Sequence, residues 1–206
     1  MAMYRDLIFP RLMNRLMNTT ETRRLRAKVC EPLVGDVVEI GFGTGLNLPH
    51  LPAAVRRLRA VDPLEAGRRF AGHRLSDTNI PVEFVGLDGQ HLPLEDGSAD
   101  AVLCTWSLCS IPEPIQAIRE IRRVLRPAGR LHFVEHGRSP HPRVHAWQDR
   151  LNGLQRKVAC GCHLNRDIPA IITDGGLHVD ELDTFYAKGE PKPYAWTFQG
   201  TATTTA

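Results

Sequence analysis

Residues 37–45 read VVEIGFGTG: a β-branched run that empties into three alternating glycines, Gly41, Gly43 and Gly45. A hydrophobic strand passing straight into glycines predicts a buried strand followed by a tight turn, with backbone N–H groups bared toward a ligand. A dinucleotide loop would read G-x-G-x-x-G, with its last glycine where Leu46 stands; here the third glycine comes one residue early, which disfavours a nicotinamide cofactor. Outward from this point, short β-branched runs at 58–61, 82–86, 101–105 and 130–135 alternate with helical stretches. That alternation predicts parallel strands joined by crossover helices. The stretch PIQAIREIRRVLRPAG (114–129) sets Ile115, Ile118, Ile121, Val124 and Leu125 against four arginines. It predicts a helix lying on the sheet and stopped by Pro127 and Gly129. Two further strands are expected at 179–186 and 194–202. The strand ends carry the ligand in open sheets of this kind, which draws attention to Asp62 after the second strand and Asp88-Gly89 after the third.

The chain has 206 residues, 42% hydrophobic and 24% charged, with a net charge of +3. That composition fits one globular domain over 1–206 and excludes disorder and a disulfide mini-scaffold. The charge margin is too small to mark a nucleic-acid footprint. No apolar run approaches the ~18 residues of a membrane span, and the N-terminus breaks too often at Arg, Asn and Pro to be a signal peptide, so a cytoplasmic chain is expected. Five scattered cysteines suggest reduced thiols. Cys160 and Cys162 form a C-x-C, but no C-x-x-C or H-x-x-x-H pattern accompanies it, so no metal is expected. Residues 1–30 read as a helical cap in which Leu7, Ile8, Leu12, Met13, Leu16 and Met17 form one apolar stripe opposite Arg11 and Arg15. Such a helix packs on its own domain, closes over a ligand, or rests peripherally on an anionic membrane.

Taken in order, the strand ending in GxGxG, the strand ending in Asp62, the strand ending in Asp88-Gly89 and the strand DAVLCTW resemble the class I S-adenosylmethionine-dependent methyltransferases. The stretch 86–137 is similar to the small-molecule branch called methyltransferase type 11. The resemblance implies an α/β, Rossmann-like, doubly wound sheet of seven strands, mostly parallel with the last antiparallel, and helices on both faces. It implies S-adenosyl-L-methionine as cofactor, S-adenosyl-L-homocysteine as product, and no metal. It further implies that Gly41, Gly43, Thr44, Gly45 and Asn47 cradle the methionine part and that Glu39 orients its amino group. Asp62 and Pro63 would serve the ribose, Leu64 the adenine face, Asp88 and Gly89 the adenine edge, and Thr105 the sulfonium. Residues 31–136 would form the cofactor core, 137–178 an acceptor-side cover and 179–206 the final strand pair.

The segment after the fourth strand, Thr105-Trp106-Ser107-Leu108, lacks the [NDS]-P-P-[YFW] clamp of enzymes that methylate nucleobases, and the paired glutamates of protein arginine methyltransferases are missing too. The acceptor is therefore expected to be a small molecule and not a nucleic acid. CTWSLCS (104–110), VEHG (134–137) and GCHLNR (161–166) resemble the methyltransferase-like alkyl thiol methyltransferases and their bacterial relatives, whose animal members carry an N-terminal membrane helix. That resemblance implies a thiol acceptor, with Trp106, Cys109 and His163 beside it. Phosphatidylethanolamine N-methyltransferases and quinone C-methyltransferases share the layout, and a cofactor-binding regulatory protein is the non-enzymatic alternative. Methyl transfer from a sulfonium needs alignment above all, so a general base is optional. If one acts, His136 with Glu135 beside it is the candidate, because a strand-end histidine titrates near neutrality. The cysteines are expected to be small buried hydrophobes rather than nucleophiles.

Overall fold

In the computed structural model, which describes residues 4–63 and 65–204, the run at 37–40 becomes the middle of a sheet. The strands are β1 (Gly35–Ile40), β2 (Val55–Val61), β3 (Val82–Gly86), β4 (Ala99–Thr105), β5 (Leu125–His136), β6 (Leu177–Tyr186) and β7 (Trp196–Thr204). They lie in the order β3-β2-β1-β4-β5-β7-β6. Six run parallel and β7 runs antiparallel to both its neighbours, β5 and β6. The helices are α1 (Phe9–Leu16), α2 (Thr20–Cys30), α3 (Glu65–Asp77), α4 (Pro114–Val124), α5 (Pro142–Val158), α6 (Ile168–Asp174) and α7 (Lys192–Ala195).

Both faces of the sheet are covered, which is why its central strands are apolar in nearly every position. Val38, Ile40, Val102, Cys104 and Phe133 point to one side and meet Ile118, Ile121 and Val124 of α4 and Ile168 and Ile172 of α6. Val37, Ala101, Leu103 and Val134 point to the other and meet Leu25, Val29 and Cys30 of α2 and Ala71 of α3. Strand order reverses between β1 and β4, so the carboxyl ends of those two strands flank the crevice that the topology opens.

Four local expectations are corrected. The helix expected to run from 114 until Pro127 and Gly129 stop it already ends at Val124, and Leu125 pairs with Ala99 before the register shifts to Arg130 beside Ala101. Pro127 keeps Arg126 out of the helical region, and a Cβ on Gly129 would sit 3.0 Å from the Arg126 carbonyl oxygen. The final strand begins at Trp196 instead of 194 because 192–195 form the turn α7. The N-terminal helix is broken at residues 17–19. Thr19 there caps α2, accepting from the Thr22 amide at 3.1 Å while the Thr22 hydroxyl accepts from the Thr19 amide at 2.9 Å. Nor does the apolar stripe of α1 pack away on its own domain: Pro10 is the buried residue of that helix, while Leu7, Leu12 and Leu16 stay exposed at the crevice.

Helix α3 reaches the glycine loop through Gly67, whose added Cβ would lie 2.3 Å from the Gly43 carbonyl oxygen, whereas one on Gly72 of the same helix would meet nothing within 4 Å. Gly67→Ala should therefore push helix and loop apart, at about 1–3 kcal/mol, while Gly72→Ala should be neutral or stabilise by up to about 1 kcal/mol. Thermal unfolding of the two variants checks this; equal Tm values would show that the loop does not depend on that approach.

Candidate functional site

At the carboxyl ends of β1, β2, β4 and β5 lies a crevice of about 2380 Å³. Its floor includes Gly41, Gly43, Thr44, Asp62, Pro63, Thr105, Trp106, Ser107 and His136, and Asp88 and Gly89 stand at one side. Leu7, Leu12, Met13, Leu16 and Met17 rim it from the N-terminal side, and Val158 to Cys162 from the other. The two rims are tied together where the Tyr4 hydroxyl donates to the Val158 carbonyl at 2.7 Å. Ligand pockets are typically about 300–1,000 Å³. This crevice therefore has room for two molecules side by side.

The glycine loop is held open by its neighbours. Gly41, at φ +83°, admits the Ser107 side chain so closely that a Cβ would overlap it. The Gly43 amide donates to Asp62 Oδ2 at 2.7 Å, and the Thr44 hydroxyl donates to Asn14 Oδ1 of α1 at 3.0 Å. Beneath the loop is a buried polar knot. Arg26 donates from one guanidinium nitrogen to Asn47 Oδ1 at 2.6 Å and to Thr105 Oγ1 at 3.0 Å. Asn47 Nδ2 in turn donates to Glu39 Oε1 at 2.7 Å and to Thr105 Oγ1 at 3.0 Å. The Arg26 guanidinium also lies 4.7 Å from the Trp106 ring centre. Burial pushes Glu39 up to about 8, with Asp62 adding to the rise while Asn47 and Arg26 oppose it. Burial also brings Arg26 down to about 10, which leaves it charged at neutral pH. Two atoms of this knot, Glu39 Oε2 and Arg26 Nε, are buried without a hydrogen-bond partner.

The turn leaving β4 is organised by one carboxylate. Glu135 accepts from the backbone amides of Ser107 at 2.6 Å, Leu108 at 2.9 Å and Cys109 at 3.4 Å. Burial raises Glu135, and those amides work against the rise. Trp106 enters the turn at φ +50°, a conformation that a bulky residue adopts only where its surroundings impose it. Arg166 closes the turn from outside, donating to the carbonyls of Leu108 and Ile111. At the end of β5, His136 Nε2 lies 3.2 Å from Cys162 Sγ, which lies 3.8 Å from Cys109 Sγ. Cys162 is held down as a thiolate by the Cys109 thiol and by His136. Burial opposes the His136 cation, yet Cys162, Glu135 and Glu190 together raise it above the ordinary histidine value.

Several residues singled out in the sequence lie elsewhere than the crevice wall. Glu39 and Asn47 sit behind Arg26, Gly45 turns against Phe42, Leu48 and Ala71, and Glu135 is wholly buried as the clasp of the β4 turn. His163 faces Asn152 at 3.4 Å, and only its backbone amide reaches the turn, donating to the Cys109 carbonyl at 2.8 Å. Asp88 does border the crevice, but its carboxylate is occupied by its own loop, accepting from the Gln90 amide and side chain and approaching His91 at 3.0 Å. Leu64 falls outside the described residues. Sequence reading missed Arg26, which carries no motif, and Ser107, whose only signal was its place after β4. Cys162, noted only in its C-x-C and expected to be a small buried hydrophobe, instead meets Cys109 and His136, which stand 53 and 26 residues away.

Residues 38–133 match the model of the methyltransferase domain. The human thiol S-methyltransferase TMT1B is 31% identical over 164 residues, covering 78% of this chain. This chain spans 65% of the length of that relative. The chain carries an S-adenosylmethionine-dependent methyltransferase domain. A demethylmenaquinone methyltransferase of Clavibacter sepedonicus is 35% identical over 123 residues, covering 57% of this chain and 48% of its own length. In fold, the domain superposes on a SAM-dependent methyltransferase structure from Aquifex aeolicus with a TM-score of 0.65 at 18% identity, over 95% of this chain and 98% of that one.

The site fits the cofactor. The partnerless Glu39 oxygen and Arg26 nitrogen are an acceptor and a donor of opposite formal charge, the complement of the ammonium and carboxylate at the amino-acid end of S-adenosylmethionine. For a carboxyl whose folded value is raised, stability is fully present below its ordinary value of 4.5 and is lost as pH rises through about 8. The unliganded domain should thus lose stability between those limits, and Glu39→Gln should not. An ammonium group placed beside Glu39 expels its proton, so at pH 7 binding of S-adenosylmethionine should release up to one proton, falling to none above about pH 9. Calorimetry in buffers of differing ionisation heat measures it; the same release from Glu39→Gln would assign the proton elsewhere.

Proposed function

We propose that the protein moves the methyl group of S-adenosylmethionine to the sulfur of a small, apolar thiol. The observation that carries this reading is the His136–Cys162 pair at the end of β5, opening onto a crevice whose rim is apolar. Support also comes from the relatives named thiol S-methyltransferase. The cofactor supplies a methyl already activated on a sulfonium. The chain's own task is to align the acceptor and exclude water, which together lower barriers by about 7–11 kcal/mol in well-oriented reactions.

In this reading Asp62 holds the ribose and the loop Gly41–Gly43 bares its amides to the amino-acid end, with Arg26 and Glu39 behind it. Thr105 and the Trp106 ring border the junction between cofactor and acceptor. His136, raised above the ordinary histidine value, supplies positive potential at the end of the crevice. A thiol of ordinary pKa about 8.5 sheds its proton more readily there. The same potential repels an ammonium headgroup, which places a phospholipid amine behind a thiol. A reduced quinone is the second reading. It too reacts as an anion, it fills a large apolar crevice, and a relative carries that name.

A labelled-methyl screen over alkane thiols, amines, phospholipids and reduced quinones tests the assignment: label is expected on thiol sulfur, and label on quinone carbon alone overturns it. His136→Gln should cut thiol turnover roughly tenfold, the loss of about 1.4 kcal/mol of thiolate stabilisation. It should also shift the pH–rate curve upward while cofactor affinity holds. The N-terminal segment forms the other half of the proposal. Helix α2 contributes Leu25, Val29 and Cys30 to the core, so a truncation must stop at residue 18 to leave the fold intact. Removal of residues 1–18 should raise the acceptor KM more than the cofactor Kd. Equal losses in both would mean that α1 is no acceptor rim, and a fall in sedimentation with anionic vesicles would show that it is also a membrane foot.

A further inference from the structure

We propose that Cys109, His136 and Cys162 form a zinc site whose open fourth position receives the acceptor thiol as a thiolate. The clause about the acceptor rests on the thiol reading above; the metal site does not.

The three side chains come from the turn after β4, the end of β5 and the segment after α5, and their Cys Sγ and His nitrogen atoms lie within 4.8 Å of one another. Zinc bonds thiolate sulfur at about 2.3 Å and imidazole nitrogen at about 2.0–2.1 Å in a tetrahedron. Those lengths require two sulfurs about 3.8 Å apart and a sulfur about 3.6 Å from the nitrogen. The observed separations are 3.8 Å between the sulfurs and 3.2 Å between Cys162 Sγ and His136 Nε2. Cys162 thus stands within a few tenths of an ångström of the required distance from each of the other two ligands, and Cys109 Sγ and the His136 nitrogen lie no more than 4.8 Å apart. The sulfurs are also too far apart to be a disulfide, which needs about 2.05 Å.

The ligand type selects the ion. Two thiolates and an imidazole suit zinc over magnesium or calcium, which take oxygen. Three protein ligands rather than four are the mark of a site that keeps a place for substrate. All three residues line the crevice, so that place faces the ligand side. The surroundings hold the ligands still. Glu135 fixes the turn that carries Cys109, Arg166 clamps the same turn, and the Cys109 carbonyl takes the His163 amide next to Cys162. His136 Nδ1 is buried without a hydrogen-bond partner, and the contact of Nε2 with Cys162 Sγ turns that nitrogen toward the place of the metal.

A thiol bound to zinc loses its proton outright. The acceptor's S–H proton leaves to solvent as the sulfur binds, and the sulfur stays nucleophilic beneath the cofactor side of the crevice. The metal would thereby do what a general base would otherwise do, and His136 would serve as a neutral ligand. Both cysteines bind as thiolates, so any proton they carry leaves to solvent as the ion enters. No oxidant or reductant is needed.

The test uses the full chain, purified under a phosphine reductant and dialysed against zinc or cobalt(II). One zinc per chain is expected, and the cobalt form should show visible bands of tetrahedral intensity with sulfur-to-cobalt charge transfer. An added alkanethiol should shift those bands. Cys162→Ser and Cys109→Ser should each weaken zinc affinity at least a hundredfold with the cofactor Kd unchanged, whereas Cys160→Ser should leave it alone. If the serine variants fail to fold, removal of zinc from the intact chain by a chelator replaces them. Reduced protein that holds no zinc overturns the site, as does a cobalt spectrum unaltered by Cys162→Ser. Metal-free protein that methylates thiols at full rate overturns the role of the fourth position. Stoichiometric zinc in a protein that methylates only quinones supports the site and removes the thiol reading.

Discussion

A guanidinium taken out of water sets the terms for this protein. Arg26 sits on α2, yet its hydrogen bonds run to Asn47 in the loop after β1 and to Thr105 at the end of β4. Leaving a buried charge without partners costs several kcal/mol, so the N-terminal helix, the glycine loop and the two strands that flank the crevice must hold their relative positions. Glu39 completes the knot from within β1 through Asn47. Glu39 and Arg26 each retain one buried atom without a partner, so the knot is not closed by the chain itself.

A second buried carboxylate does the same at the ends of β4 and β5. Glu135 gathers three consecutive backbone amides, and in doing so presents Trp106 and Ser107 to the crevice and fixes Cys109 opposite His136. The positive φ of Trp106 is a strain that this clasp sustains. The two carboxylates are pushed upward by burial and restrained by the hydrogen bonds they accept, but they play different parts. Glu39 keeps one oxygen without a partner, while both Glu135 oxygens accept from backbone amides.

The sheet was legible because its period is short and local. Val37 to Ile40, the glycines after them, and Asp62 and Asp88 after later strands each advertise a strand end within a few residues. What failed locally failed for local reasons of another kind. The helix over 114–124 was extended too far because its apolar pattern continues into Leu125, and only pairing with Ala99 shows that residue to be strand. The stripe on α1 reads as a packing face, but the surface opposite it is a crevice, so Leu7, Leu12 and Leu16 remain exposed.

From the chain alone came the parallel sheet and its glycine turn, because hydrophobic periodicity and glycine spacing act between near neighbours; the class of chemistry came from the resemblance carried by the ordered strand-end motifs. Only the folded chain decided which polar groups meet. Arg26 reaches Thr105 across 79 positions and Cys162 reaches Cys109 across 53, contacts that no spacing rule encodes. They exist because the sheet order brings the ends of β1, β4 and β5 side by side, and because a buried charge or thiolate settles only where three-dimensional packing supplies its partner.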